Sequence, residues 1–159
     1  MIRPATAQDA EAICAIWNPE IRDTLVTFNS VEKTPADIHT MRADKGDGFL
    51  VCADQVGDIL GFAFYGQFRG GIGYRHTAEH TIVLHADARG RGAGRALMDA
   101  ICEHARGAGF HSLMAGVSAG NPDGVAFHAR LGFVQVGHLP QVGRKFDRWI
   151  DLILMQKFL

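Results

Sequence analysis

The spacing of hydrophobic positions changes period several times along the chain, and each change marks an element. "MIRPAT" reads as a short opening strand. Thr6 is then a helix cap with Asp9 three residues on, and Ile13, Ile16 and Trp17 fall on one helical face. Asn18-Pro19 disturbs that stripe, so a second helical piece is expected after it. "TPADIHTMRA" repeats the start signal, with Thr34 as cap and Pro35 at the first helical position. "FLVCAD" and "ILGFAFYGQF" are β-rich runs joined by "QVGD", a hairpin signal, and "RGGIG" is a loop.

The second half continues in the same way. "HTAEHTIVLH" is the next strand. In "GRALMDAICEHARGAG", Leu97, Met98, Ile101, Cys102 and Ala105 share a helical face, and Gly107 and Gly109 stop the helix. "SLMAGVS" is a strand, and "NPDGVAFHARLGF" is a short helix ended by Gly132. "VQVGHLPQVG" and "WIDLILMQKFL" close the chain as strands. The predicted order is β-α-α-β-β-β-α-β-α-β-β, with no repeat and no linker. One mixed α/β sheet covered by helices accounts for it. The near-continuous apolar ending places Trp149 and its neighbours in the core or at an interface.

Composition narrows the class. The 159 residues suit one domain, and 47% apolar against 21% charged residues is too apolar for disorder. A net charge of −1 without a basic run points away from nucleic acid and from an anionic membrane. No run reaches the roughly 18 apolar residues needed to span a bilayer, and the N-terminus lacks a leader's apolar stretch, so a cytoplasmic location is the default expectation. Cys14, Cys52 and Cys102 lie far apart within apolar patterns and read as reduced core thiols. His76, His80 and His85 lack a carboxylate or cysteine that would complete a metal set, so no metal is expected.

Candidate chemistry concentrates in "ARGRGAG", residues 88–94, between an apolar strand and a helix. Glycines let a turn point its N–H groups inward, and a helix start adds free donors and partial positive charge. That arrangement suits a phosphate or pyrophosphate, with Arg89, Arg91 and Arg95 adding charge. No Gly-Lys-Ser/Thr follows, which excludes a P-loop, and Leu97 stands where a GxGxxG would need its third glycine.

The loop matches Arg-x-x-Gly-x-Gly as Arg89, Gly92 and Gly94, and so resembles the acyl-CoA loop of the GCN5-related N-acetyltransferases. The preceding apolar strand, the following helix, and "SAGNPDGVAFHARLGF" with Asn121 and the closing Leu131 to Phe133 extend the likeness. "IRPAT" at the start carries it to nearly the whole chain. "TFN" at 27–29, "YRHTAEHTIVLH" at 74–85, "FHARLGF" and "GRKFDRWID" resemble the phosphinothricin and methionine sulfone/sulfoximine acetyltransferase branch.

The resemblance implies a single acetyltransferase domain. Its sheet is mixed and mostly antiparallel, with six to seven strands and about four helices, and its strands splay at the acyl-CoA site. It implies acetyl-CoA as donor and direct transfer of acetyl to an amine. The pyrophosphate is expected on the amides of Gly90, Arg91, Gly92, Ala93, Gly94 and Arg95. The pantetheine arm is expected along Ile82, Val83 and Leu84, with Asn121 beside it. Glu79, three residues before that stretch, is the implied base, directly or through a water. His128 occupies the position of the wider family's proton-donating tyrosine, and either acts as acid or packs on the donor. Arg75 is the choice for a substrate carboxylate, since a guanidinium fork fits one, and Phe28 and Tyr74 for the side-chain pocket. A homodimer is implied. Alternatives are transfer to another amine, such as a polyamine or a protein N-terminus, and a non-catalytic acyl-CoA sensor.

Overall fold

A computed structural model describes all of residues 1–159. Its elements follow the predicted order: β1 (Ile2–Pro4), α1 (Ala10–Asp23), α2 (Pro35–Lys45), β2 (Leu50–Ala53), β3 (Ile59–Gln67), β4 (Thr77–Leu84), α3 (Ala93–Gly107), β5 (Ser112–Ser118), α4 (Pro122–Arg130), β6 (Val134–Lys145) and β7 (Arg148–Phe158). The seven strands form one sheet, in the order β1-β2-β3-β4-β5-β7-β6. Every pairing is antiparallel except β4 with β5. The expected single mixed sheet with four helices is what the chain forms.

Local chemistry sets the boundaries. Thr34 and Asp37 form a reciprocal cap at the start of α2: Thr34 Oγ1 accepts from Asp37 N at 3.2 Å, and Asp37 Oδ2 accepts from Thr34 N at 2.8 Å. Asp54 Oδ1 gathers the amides of Val56, Gly57 and Asp58, each at 3.0 Å, which tightens the β2–β3 turn. One expectation fails. Pro19 does not divide the first helix, since α1 runs through it from Ala10 to Asp23. The helix keeps its course because Ile13, Ile16, Trp17 and Ile21 bury one continuous face on both sides of the proline. Asn18 side-chain bonds to Lys33 N (2.8 Å) and O (2.9 Å) hold the following loop in place.

Two cores flank the sheet. On one face α1 and α2 pack Ile13, Ile16, Trp17, Ile21 and Ile38 against Phe49, Val51 and Phe62. On the other, Leu97, Met98, Ile101 and Ala105 of α3 meet Ala63, Leu113, Ala115 and Met155, with Val125 and Phe127 of α4 alongside. All three cysteines are free and buried. Trp149 is not a core residue: it is 60% exposed, with the Arg144 guanidinium 4.7 Å above its ring. Its strand lies inside the sheet, but its middle residues, Asp151 to Leu154, are only half-buried.

Candidate active site

The sheet is open at its centre. β4 and β5 hold register for three pairs only, Thr77–Ser112 to Glu79–Met114. β4 then continues along β3 as far as Leu84–Gly61, and β5 continues along β7 as far as Ser118–Leu152. The two strands part as a V. In an antiparallel ladder the main-chain groups of successive residues alternate sides. His85 N donates to Leu60 O, and Thr77 O accepts from Phe68 N, so the odd-numbered residues of β4 face β3. Ile82 and Leu84 therefore turn their N–H and C=O groups into the gap. The splay expected at Ile82, Val83 and Leu84 is present.

A cavity of about 680 Å³ runs through this gap from one face of the sheet to the other. On the α3–α4 face it is walled by His80, Ile82, Leu84, Asn121, Phe127 and His128. On the α1 face it is walled by Trp17, Glu20, Val26, Thr27, Phe28 and Leu152. Gly116 and Val117 of β5 lie between.

The glycine loop closes the α3–α4 end. Gly90 and Gly92 take φ of 73° and 78°, a left-handed conformation that favours glycine. The first intrahelical bond of α3 is Ala96 N to Gly92 O, so the amides of Ala93, Gly94 and Arg95 have no main-chain partner. The Arg91 amide is committed to Ala88 O at 3.2 Å. Of the loop residues expected at a pyrophosphate, Arg89, Gly90, Gly92, Gly94 and Arg95 line the cavity. Arg91 and Ala93 instead border a second hollow beside Met1 and Cys52. Asn121 caps α4, with Oδ1 accepting from Gly124 N at 3.0 Å.

His128 and His80 form a buried pair that the sequence does not announce. His128 Nδ1 lies 2.7 Å from Gly124 O. A carbonyl only accepts, so Nδ1 carries the hydrogen and Nε2 is left as an acceptor. His80 Nε2 lies 3.1 Å from His128 Nε2 and must therefore be the donor. His80 Nδ1 is then bare, buried and without a partner. Burial, helped by the neighbouring ring, pushes His80 down to about 3. Burial also lowers His128, against the pull of the Gly124 carbonyl. Both rings are neutral near pH 7. His76, by contrast, precedes β4, is exposed and bonds Gly109 O.

Glu79 stands at the fork on the opposite face, at the edge of the cavity and not among the residues that line it. Its Oε2 lies 3.7 Å from where a Cβ on Gly116 would be, next to Leu152. The side chain reaches water, yet the surrounding walls strip enough of it to push the carboxyl above its ordinary value. Phe28 roofs the same end, and its ring passes so close to Gly143 that a Cβ there would come within 2.6 Å of it. Tyr74 and Arg75 sit before β4 and do not line the cavity. Arg69 lies 5.9 Å over the Tyr74 ring, and Arg75 Nε donates to His76 Nε2 at 3.0 Å. Trp17, Glu20 and Leu152 were not foreseen. Trp17 reads as a core position by spacing, and nothing in the sequence sets Glu20 or Leu152 apart from their neighbours.

Splayed strands and a glycine-rich helix start are the features that the sequence resemblance implies, and here a parallel pair forms the splay and one cavity joins it to the loop. A sequence model of the acetyltransferase (GNAT) family matches residues 13–133. The chain belongs to that family. An L-methionine sulfoximine/L-methionine sulfone acetyltransferase of Pseudomonas aeruginosa is 40% identical over 98% of this chain and 92% of its own. The crystal structure of a ribosomal-protein-alanine N-acetyltransferase from Brucella melitensis superposes with a TM-score of 0.93 at 40% identity, covering 100% of this chain and 99% of that one. A phosphinothricin acetyltransferase from Sinorhizobium meliloti, in complex with AcCoA, gives 0.92 at 29% identity, covering 100% and 88%. The expected fold and the N-acetyltransferase class both stand.

Proposed function

We propose that this acetyltransferase moves acetyl from acetyl-CoA to the α-amine of a small amino-acid-like acceptor, of the methionine sulfone, methionine sulfoximine or phosphinothricin type. The observation that carries the reading is the cavity passing through the sheet at the β4–β5 fork. The free main-chain groups of Ile82 and Leu84 suit the amides of a pantetheine arm, and the loop from Gly90 to Arg95 suits its diphosphate. When bound, the donor supplies a thioester carbon open to attack by an amine, with a thiolate as leaving group.

The chain's own groups then have separate tasks. An α-amine has a pKa near 7.7 to 8, so it needs only modest help to lose its proton. Glu79, raised by its surroundings and facing the acceptor side, takes that proton directly or through a water. His128 serves as a wall of the donor arm, because both its nitrogens already have partners. Phe28 shapes the acceptor end. Arg75 and Tyr74 remain the candidates for an acceptor carboxylate, although they lie outside the cavity beside the paired start of β4, and Arg75 must release His76 to reach one.

Two further features belong to this reading. The β6–β7 hairpin leaves Val134, Val136, Val142, Phe146 and Trp149 more than half exposed. Exposed apolar side chains along an edge hairpin suit an interface, and a second copy of the chain is the expected occupant. No helix is long and apolar enough to cross a membrane. The working location is the cytoplasm, with no nucleic-acid partner and no metal.

The deciding measurement is thiol release from acetyl-CoA with methionine sulfone, methionine sulfoximine, phosphinothricin, a polyamine and an alanine-ended peptide. Turnover with one of the first three supports the reading. Turnover confined to the peptide would move the assignment to protein N-termini. Binding of acetyl-CoA without release for any amine would leave a sensor.

A further inference from the structure

The ladder between β6 and β7 breaks in its middle. Leu139 pairs with Leu152 and Gly143 with Ile150, so Pro140, Gln141 and Val142 together face Asp151 alone. The extra residues of such a bulge have no ladder partners of their own. Gln141 also takes φ of 54°, a left-handed conformation that a side-chain-bearing residue rarely adopts. The Asp151 carboxylate holds this irregular stretch. Its Oδ1 accepts from Gln141 N at 2.8 Å, at the centre of the bulge. Its Oδ2 accepts from His138 Nε2 at 2.7 Å, just before the bulge. Asp151 is anchored in turn, because its carbonyl accepts from Ala119 N at 3.0 Å, past the end of β5.

Beyond the bulge, β6 carries the support of the acceptor roof. Gly143 receives the Phe28 ring, where a Cβ would stand 2.6 Å away. Lys145 Nζ donates to Thr27 O at 2.9 Å, across 118 residues of sequence. Thr27 and Phe28 both line the cavity. Side chains alternate faces along a strand, so Gly143 and Lys145 share the face that meets Thr27 and Phe28. A slip of one residue in β6 would turn both away and bring Val142 or Arg144 against the Phe28 ring. A slip of two would keep the face but set Gln141 or Lys145 where a glycine is required. The roof therefore depends on the register that follows the bulge.

We propose that Asp151 is a positioning residue for the acceptor end of the cavity: by clasping the bulge it fixes the register of β6, which seats Gly143 under Phe28 and Lys145 against Thr27. The clasp acts from a distance. Asp151 alternates with Ile150 and Leu152, so its carboxylate lies on the opposite face of the sheet from Phe28. Neither Asp151, His138 nor Gln141 lines the cavity. The inference rests on the acetyl-transfer reading only for what the pocket holds; the hydrogen bonds and the register carry the rest.

The test compares wild type with Asp151→Ala, Asp151→Asn, Gly143→Ala and the double variant Asp151→Ala/Gly143→Ala. Amide exchange of the free protein is read by mass spectrometry, affinities for coenzyme A and methionine sulfone by calorimetry, and KM and kcat by thiol release. In Asp151→Ala, exchange at residues 26–29 quickens on the order of tenfold, and methionine sulfone Kd and KM rise by a similar factor, the size of one lost hydrogen bond to a charged group. Exchange at residues 88–95 and coenzyme A affinity stay the same. An asparagine still accepts from Gln141 N and can donate to His138, so Asp151→Asn recovers most of the loss. Gly143→Ala adds little on top of Asp151→Ala, because the register that makes it harmful is already gone. Unchanged exchange at 26–29, additive effects of the two substitutions, or an equal loss of coenzyme A affinity overturns the proposal. Val142 is part of the exposed hairpin surface, so sedimentation velocity is run on every variant; effects confined to variants whose assembly changes overturn it too. Should Asp151→Ala not fold, His138→Leu removes one of the two bonds at a half-exposed side chain and must move exchange and acceptor affinity the same way. A wild type that binds no acceptor or releases no thiol ends the transferase reading, and the exchange comparison still judges the clasp.

Discussion

His80 Nε2 and His128 Nε2 face each other at 3.1 Å in the wall of the cavity, and the Gly124 carbonyl fixes which ring donates. β4 and α4 are thereby joined by a hydrogen bond that exists only while His128 Nε2 carries no proton. A proton on His128 would set two N–H groups against each other, and a proton on His80 would put a charge at the buried Nδ1, which has no acceptor.

Acid should therefore weaken the fold earlier than carboxylate chemistry alone would. Above about pH 6.5 the His80 ring is neutral in both folded and unfolded chains. Between about 6.5 and about 3 the unfolded chain binds a proton that the folded one refuses, so stability falls as pH falls through that window. The slope is roughly 1.4 kcal/mol per pH unit for each such proton. Asp9, held at about 2 by its bond to Arg3, adds a further loss below its ordinary 3.8. Melting temperature against pH checks this. His80→Phe should be less stable at pH 8 but show a flatter decline between 6.5 and 4.

Glu79→Gln should lower kcat by a factor on the order of a hundred or more, the usual worth of a positioned base, with coenzyme A affinity unchanged. In the wild type, kcat/KM should drop on acidification with an inflection above 4.5, because the carboxyl is raised and only its ionised form accepts a proton. The variant should lack that inflection. A wild-type profile identical to that of the variant removes Glu79 from proton transfer.

Gly92→Ala should weaken coenzyme A binding about tenfold. The added Cβ meets nothing within 4 Å, so the cost is conformational: a left-handed φ of 78° is worth about 1–2 kcal/mol against a side-chain-bearing residue. Titration calorimetry with coenzyme A reads it directly. Acceptor KM at saturating donor should hardly change.

Gly143→Ala should have the opposite profile. Its Cβ would stand 2.6 Å from the Phe28 ring, so the acceptor roof must move while the glycine loop is untouched. Acceptor KM should rise several-fold and coenzyme A affinity stay constant. Equal changes in both would mean that Phe28 does not shape the acceptor end.

Local signals were fully legible in the sequence. The cap of α2, the β2–β3 turn and the glycines before α3 act over four or five residues, and their order along the chain fixed the order of elements. Pro19 misled because its cost is local while the burial that outweighs it involves α2 and the sheet. The relations that build the site are long-range. His80 meets His128 across 48 residues, and Lys145 meets Thr27 across 118. No spacing rule reaches that far. Glu20 carries no local signal, and only the opening of the sheet beside α1 makes it a cavity residue.

The parting of β4 from β5 also bears on the order of events in turnover. A passage open on both faces of a sheet gives each reactant its own doorway. Neither must leave before the other enters, and no acyl group has to be parked on the protein in the meantime. Initial-rate plots against both reactants should then intersect, as they do when two molecules meet on the enzyme, and should not run parallel.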